Sequence, residues 1–175
     1  MFRGYITLLA VFLIMAFVLF TTALFTDNWV VGTRGRVYHI NLGIVPYNTA
    51  LSIQCRVASI IMYVAFVFFF PLILLFSYVC WQFVHHGSSQ KLRIPLFAML
   101  FFSIIIVAGE IFTFITFMTS GQNEFNYDYA FEVHVPYSPL KVHVGYSVYL
   151  ELASTIVLIL ASIVNIKLAV DMSRV

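Results

Sequence analysis

Two glutamates stand inside long apolar stretches and are the residues best placed to do chemistry. Glu110 is the only charged residue of its stretch, and Glu151 is the only acidic residue of its stretch, which also contains Lys167 near its end. A carboxyl group in a bilayer is costly unless it is protonated or paired, and such groups mark proton and ion pathways. Two interpretations stay open: a small proton-coupled transporter that dimerises around Glu110, or hydrogen-bonded packing residues that fix helix register. We favour packing, because a transport site would require two chains.

The two glutamates must be positioned by membrane-spanning helices. The chain is 62% hydrophobic and only 9% charged, which excludes a soluble domain, and its net charge of +2 without a basic run excludes a nucleic-acid footprint. A helix needs about 20 apolar residues to cross a bilayer core of about 30 Å. Four segments qualify, and they predict one four-helix domain over residues 1–175, with helices at about 5–25, 57–79, 94–119 and 146–169 and outer loops at about 27–56 and 120–145.

Residues at alternating steps of three and four define one inward seam on each of the last two helices. Glu110 lies about 13 Å and Glu151 about 8 Å inside the same membrane boundary, at 1.5 Å per residue. The nearest candidate cation is Arg56, at the mouth of the second helix. The seam of the third helix comprises Ser103, Ile106, Glu110, Thr113 and Phe117, and that of the fourth comprises Ser147, Glu151, Ser154, Leu158, Ala161, Asn165 and Leu168.

The distribution of basic residues predicts which side of the membrane the termini occupy. An even number of spans puts both termini on one side. Five Lys or Arg residues lie on that side and four on the other, and Lys91 and Arg93 fall in a very short connection, where the positive-inside rule applies best. We therefore expect a multi-pass protein of the plasma membrane with both termini in the cytoplasm.

The first outer loop has the pattern of a strand. Residues 36–42 roughly alternate polar with apolar and are followed by the turn residues Gly43 and Pro46, so we expect a small sheet on the bundle. This loop has a net charge of +2 and the second outer loop −2. Opposite charges favour packing of the loops within one molecule or pairing between neighbours, although two solvated loops would explain them equally well. Trp29 and Trp81 are expected to lie at opposite membrane edges as belt residues.

Other reactive residues form no constellation. Cys55 and Cys80 lie about 37 Å apart along one helix and cannot bridge each other. His85 and His86 lack metal-ligand spacing. The loop residues His39, His134 and His143 could bind a metal together, but three loop histidines are more often simply solvated. No nucleophile elbow, phosphate loop or metalloprotease motif occurs. The sequence therefore predicts no catalytic, cofactor or metal site.

This layout resembles the superfamily of the claudins, epithelial membrane proteins and peripheral myelin protein. Within that superfamily, it looks closest to the short claudin-like proteins of nematodes. Four helices are combined with a Trp after the first helix and an Arg at the start of the second. A Gly-Leu-Trp-like run lies between them, and the fourth helix opens on a similar stretch. The matching residues are Trp29, Gly43, Ile44, Val45, Pro46, Arg56 and the run Gly145 to Leu150.

The resemblance implies a left-handed four-helix bundle with an extracellular antiparallel sheet from the first outer loop, and no enzyme. It implies cell-cell contact, barrier or junction organisation through the outer loops, with lateral self-association or another membrane protein as partner. Two departures stand out. The Gly-Leu-Trp run is here Gly43, Ile44 and Val45, and Cys55 is the only loop cysteine, so the family's loop disulfide cannot form.

The C-terminus carries a further interaction motif. A Ser two places before a terminal apolar residue is the pattern that PDZ scaffolds bind by strand addition and carboxylate capture. We therefore consider a PDZ scaffold as a partner, besides the lipid bilayer. The alternative functions are an auxiliary subunit of a membrane channel or receptor, and the proton-coupled transporter. The motif residues are Ser173, Arg174 and Val175.

Overall fold

Four long helices and a three-stranded sheet make up the protein in a computed structural model, which describes residues 2–34, 38–44, 53–87, 92–120 and 141–172. All four helices are long and apolar enough to cross a membrane. Their order confirms the predicted fold class. Helices α1 to α4 span Phe2–Phe25, Ile53–His86, Arg93–Ser120 and Tyr146–Met172, and strands β1 to β3 span Val30–Arg34, Tyr38–Leu42 and Lys141–Val144.

Helix α2 is longer at both ends than the apolar run that predicted it. It begins at Ile53 rather than near Val57 and continues past Val79 to His86. Thirty-four residues extend about 51 Å, which exceeds a bilayer core of about 30 Å. The additional turns contain polar and aromatic side chains such as Arg56, Trp81 and Gln82, which suit the interfacial region beyond the apolar run.

The helices pack in a ring in which α1 contacts α4, α4 contacts α3, and α3 contacts α2. The smaller α1–α2 contact contains a phenylalanine cluster, with ring centroids 5.0 Å apart between Phe20 and Phe69 and 5.7 Å apart between Phe17 and Phe69. Large apolar side chains elsewhere on the helices are exposed, as a lipid-facing surface requires.

Both inward seams expected from the sequence lie inside the bundle. All five seam residues of α3 and all seven of α4 are buried. Many of these side chains are small or polar, which allows close helix approach and hydrogen bonding between helices. Gly109 shows the close approach directly, because a Cβ atom there would lie 3.2 Å from Ile61 Cγ2 and 3.7 Å from Ala65 Cβ.

The sheet lies at one end of the bundle, called here the sheet end, and the start of α1 and the end of α4 lie at the opposite end, called the terminal end. The strand order is β2-β1-β3, and both pairings are antiparallel. Strand β2 falls within the stretch predicted as a strand. The sheet was expected from the first outer loop, but its third strand comes from the second loop, with Val30 opposite both Leu42 and Val144.

Candidate functional site

Trp29 joins the sheet to the bundle and is the centre of the first candidate site. Its side chain is 0% exposed and its ring centroid lies 4.9 Å from that of Phe117 on α3. The indole Nε1 donates a hydrogen bond to the Ala23 carbonyl oxygen at 2.7 Å. The side chain of Trp29 therefore does not act as the expected belt residue at a membrane edge: its polar atom has an acceptor inside the protein and does not need the interface.

The start of α4 is held by the segment around Trp29. Gly145 N donates to the Trp29 carbonyl oxygen at 3.0 Å, and Ser147 N donates to the Asn28 carbonyl oxygen at 3.2 Å. These bonds satisfy backbone donors that a helix start leaves without partners. The hydroxyls of Thr26 and Ser147 are hydrogen-bonded at 2.6 Å, and Asn28 Nδ2 donates to the Tyr146 hydroxyl at 3.1 Å.

Glycine is required where the backbone of Gly145 meets Asn28. A Cβ atom on Gly145 would overlap the carbonyl group of Asn28, so this contact is a backbone-to-backbone approach. At Gly43 a Cβ atom would lie 2.5 Å from Asp27 Oδ1 and 3.0 Å from Asp27 Cα. Gly43 in the first outer connection and Gly145 in the second therefore both pack closely against the short segment between α1 and β1.

Ile44 fixes the end of strand β2 to helix α2. Its side chain is buried, and its carbonyl oxygen accepts a hydrogen bond from the Tyr63 hydroxyl at 2.7 Å. Gly43 and Ile44 therefore help to anchor the sheet. Val45 and Pro46, the other two residues of the run that resembles Gly-Leu-Trp, lie outside the described residues.

Arg56 does not pair with the buried glutamates. It is partly buried in the first turn of α2, and its Nε has no hydrogen-bond partner among the described residues. Neither oxygen of Glu151 has a partner in the described chain, and Glu110 is bonded to Ser154 instead. The expectation that Arg56 is the cation for these carboxyl groups is wrong, because they lie deeper in the bundle.

Glu110 and Glu151 form the second candidate site, and both side chains are 0% exposed. Glu110 Oε1 lies 2.8 Å from the Ser154 hydroxyl, which also lies 3.0 Å from the Ala16 carbonyl oxygen. Residues of α1, α3 and α4 thus meet at one point. The sequence placed Ser154 on the seam of α4 but gave no signal for its contacts with Glu110 and Ala16.

Asn165 links α3 and α4 near the terminal end. Its Nδ2 donates to the Leu96 carbonyl oxygen at 2.9 Å, and the side chain is buried. The candidate PDZ ligand, residues 173–175, lies outside the described chain. Within the described residues, no three His, Cys, Asp or Glu side chains lie together in a way that could hold a metal ion.

Comparison with known families agrees with this architecture. The family model described as tight junction protein, claudin-like, matches residues 1–174. No curated protein matches the sequence. The match extends over the four helices and over all three strands of the anchored sheet. The chain therefore belongs to the claudin-like family of tight junction proteins.

Proposed function

We propose that this protein mediates contact between neighbouring cells, and so organises junctions or barriers, through its sheet and the loops attached to it. In this proposal it is a multi-pass protein of the plasma membrane whose termini are cytoplasmic and whose sheet end faces outwards. The observation that carries the proposal is the three-stranded sheet fixed to the bundle through Trp29, Gly145 and Ile44. An anchored surface loses little further conformational entropy on binding.

The edges of this sheet offer a way to bind another chain. Within the described residues, β2 and β3 each pair only with β1. The outer edge of each strand therefore presents backbone donors and acceptors that suit strand addition. Membership of the family and the opposite net charges of the two outer loops point to the same kind of contact.

Cell mixing tests the proposal. Non-adherent cells expressing the tagged protein should concentrate it at borders with other expressing cells, and uniform membrane staining would contradict the proposal. We expect Arg34→Glu with Arg36→Glu to reduce this enrichment, because the first loop loses its positive charge. The matched control, Arg34→Lys with Arg36→Lys, keeps the charge and should behave as wild type. Tags on the termini should be detected only after permeabilisation.

A charge swap distinguishes contact between cells from packing within one molecule. Cells with the Arg-to-Glu variant would face cells in which Glu124, Asp128 and Glu132 are changed to Lys. Restored enrichment at mixed borders would support pairing between molecules. Restoration only when both sets of changes are in the same chain would show that the loops pair internally.

Lateral association is a second proposed role, and a groove between α3 and α4 favours it. The groove is apolar and has a volume of about 460 Å³. Its residues include Ile104, Ala108 and Ile163, which lie on the membrane-facing surface where another helix could pack. We infer that a second copy of this chain occupies it. An auxiliary subunit would use the same groove for the helix of a channel or receptor.

Energy transfer between two fluorescent tags in liposomes tests this lateral contact. Wild-type protein should show energy transfer, and Ala108→Phe should reduce it by filling the groove. Ile14→Phe, on the exposed face of α1, is the matched control and should leave it unchanged. Absence of transfer in the wild type would contradict self-association. Removal of residues 173–175 should abolish binding of the chain to a PDZ domain, and equal binding by the shortened chain would contradict a role for this motif.

A further inference from the structure

We propose that Glu110 is a proton-binding site inside the bundle, where its neutral carboxyl group donates a hydrogen bond to Ser154. Ser154 in turn donates to the Ala16 carbonyl oxygen. This chain of donors joins α3 to α4 and α4 to α1. The ligand is a proton, and its binding site is distinct from the sheet surface proposed to mediate contact.

A count of hydrogens supports this assignment. The Ser154 hydroxyl has one hydrogen but lies within hydrogen-bond distance of two oxygens, Ala16 O at 3.0 Å and Glu110 Oε1 at 2.8 Å. A backbone carbonyl and an ionised carboxylate are both acceptors only. With Glu110 ionised, one of the two contacts would have no hydrogen between its oxygens. With Glu110 protonated, both contacts are hydrogen bonds.

Glu151 gives an independent reason for a bound proton. It lies on the buried seam of α4, three residues before the Ser154 that contacts Glu110, and it is 0% exposed. Neither of its oxygens has a partner within the described residues, and the same is true of Glu110 Oε2. Two buried negative charges without partners in one membrane bundle would be far more costly than neutral carboxyl groups.

Among the described residues, no cation on the surrounding helices forms an ion pair with either carboxyl group, and Arg56 lies in the first turn of α2 at the sheet end. The ionisable residues of α1 are Arg3 and Tyr5, both near the terminal end. On α2, the Tyr63 hydroxyl donates to the Ile44 carbonyl oxygen at the sheet end. On α4, Lys167 pairs with Asp171, 3.9 Å away, near the terminal end. A proton is therefore the simplest ligand that neutralises Glu110.

Infrared spectroscopy of the full chain in phosphatidylcholine bilayers tests the proposal. We expect the carbonyl band of protonated carboxylic acid in neutral buffer, and we expect Glu110→Gln to remove the component of that band that belongs to Glu110. Glu110→Asp is the chemical control, since it keeps an acid but should shift the band. Glu110→Gln should also keep a melting temperature close to wild type, because the amide N–H can donate to Ser154. Glu110→Met has no donor and should melt at a lower temperature.

Three outcomes would overturn the proposal. The first is a neutral-pH spectrum in which Glu110→Gln removes no acid band. The second is an acid band that keeps its full intensity in Glu110→Gln but disappears in Glu151→Gln, which would place the proton on Glu151 alone. The third is a Glu110 band that is present in a choline chloride buffer but disappears when sodium chloride replaces the choline salt, which would identify a metal cation as the ligand.

Discussion

Trp29 folds back onto the helix that leads to it, so that its indole nitrogen donates to the Ala23 carbonyl oxygen in the last turn of α1. The same oxygen accepts a hydrogen bond from the Thr26 hydroxyl at 3.1 Å. One carbonyl group thus receives two donors from the segment that leads into β1. The direction in which the sheet leaves the bundle is set by this contact and by the packing of Trp29 on Phe117.

Removal of the indole hydrogen bond should destabilise the protein modestly. Trp29→Phe keeps a ring against Phe117 but loses the donor, and we expect a loss of about 1 kcal/mol in the free energy of unfolding. Trp29→Ala also leaves a cavity and should cost about 3–5 kcal/mol. Denaturant titration in detergent micelles measures both. The control, Trp81→Phe, changes a side chain that is 52% exposed and should have little effect. Equal losses for Trp29→Phe and Trp81→Phe would count against the anchor.

A methyl group at Gly145 should disturb the joint between β3 and α4. Because the added carbon would overlap the Asn28 carbonyl group, the backbone must shift, and we expect a loss of about 1–3 kcal/mol or more. Gly4→Ala is the matched control, since no atom lies within 4 Å of the added carbon there. It should be neutral or stabilise helix α1 by up to about 1 kcal/mol. Melting temperatures that fall equally for both variants would contradict this explanation.

Helices α2 and α3 should separate when a large side chain replaces Gly109. A Leu there must displace Ile61, whose Cγ2 would lie only 3.2 Å from the new Cβ. We expect Gly109→Leu to cost about 1–3 kcal/mol. Addition of Ile61→Ala should recover part of this loss, so a double-mutant cycle should give a coupling energy of at least about 0.5 kcal/mol. Strict additivity would show that the two residues are not in contact.

The hydrogen bond from Asn165 to Leu96 should contribute little to stability, despite its burial. Bonds between membrane helices average about 0.6 kcal/mol and reach about 1.7 kcal/mol, so we expect Asn165→Leu to cost within that range. Ser162→Ala serves as the control, because that hydroxyl donates within its own helix, to Leu158 O. Unfolding of both variants by denaturant gives the comparison. A loss far above 2 kcal/mol for Asn165→Leu would indicate a further role for its side chain.

The sequence predicted the helices and their inward faces well, since apolar length and a spacing of three and four depend only on local residues. It could not predict that Lys141–Val144 pairs with β1, because these strands are far apart in the chain and four residues give too short an alternation. It also misplaced Trp29. A Trp at the end of an apolar run has the same sequence signature whether it faces lipid or, as here, Phe117.

The contacts of Ser154 illustrate the remaining gap. Its position on the inward seam of α4 follows from periodicity, but periodicity does not say which helices face that seam. The contacts with Ala16 and Glu110 depend on the order in which the four helices surround the bundle axis. That order is set by packing of the whole domain rather than by any local pattern.

The direct connection of strands to helices has a mechanical consequence. Strand β1 follows α1 after four residues, and β3 leads into α4 after one. The central strand β1 and the outer strand β3 are therefore directly connected to α1 and α4, two helices that pack against each other in the bundle. A change in the tilt of α1 relative to α4, imposed by bilayer thickness or lateral crowding, would shift β1 along β3. The shape of the sheet surface outside the membrane would then change.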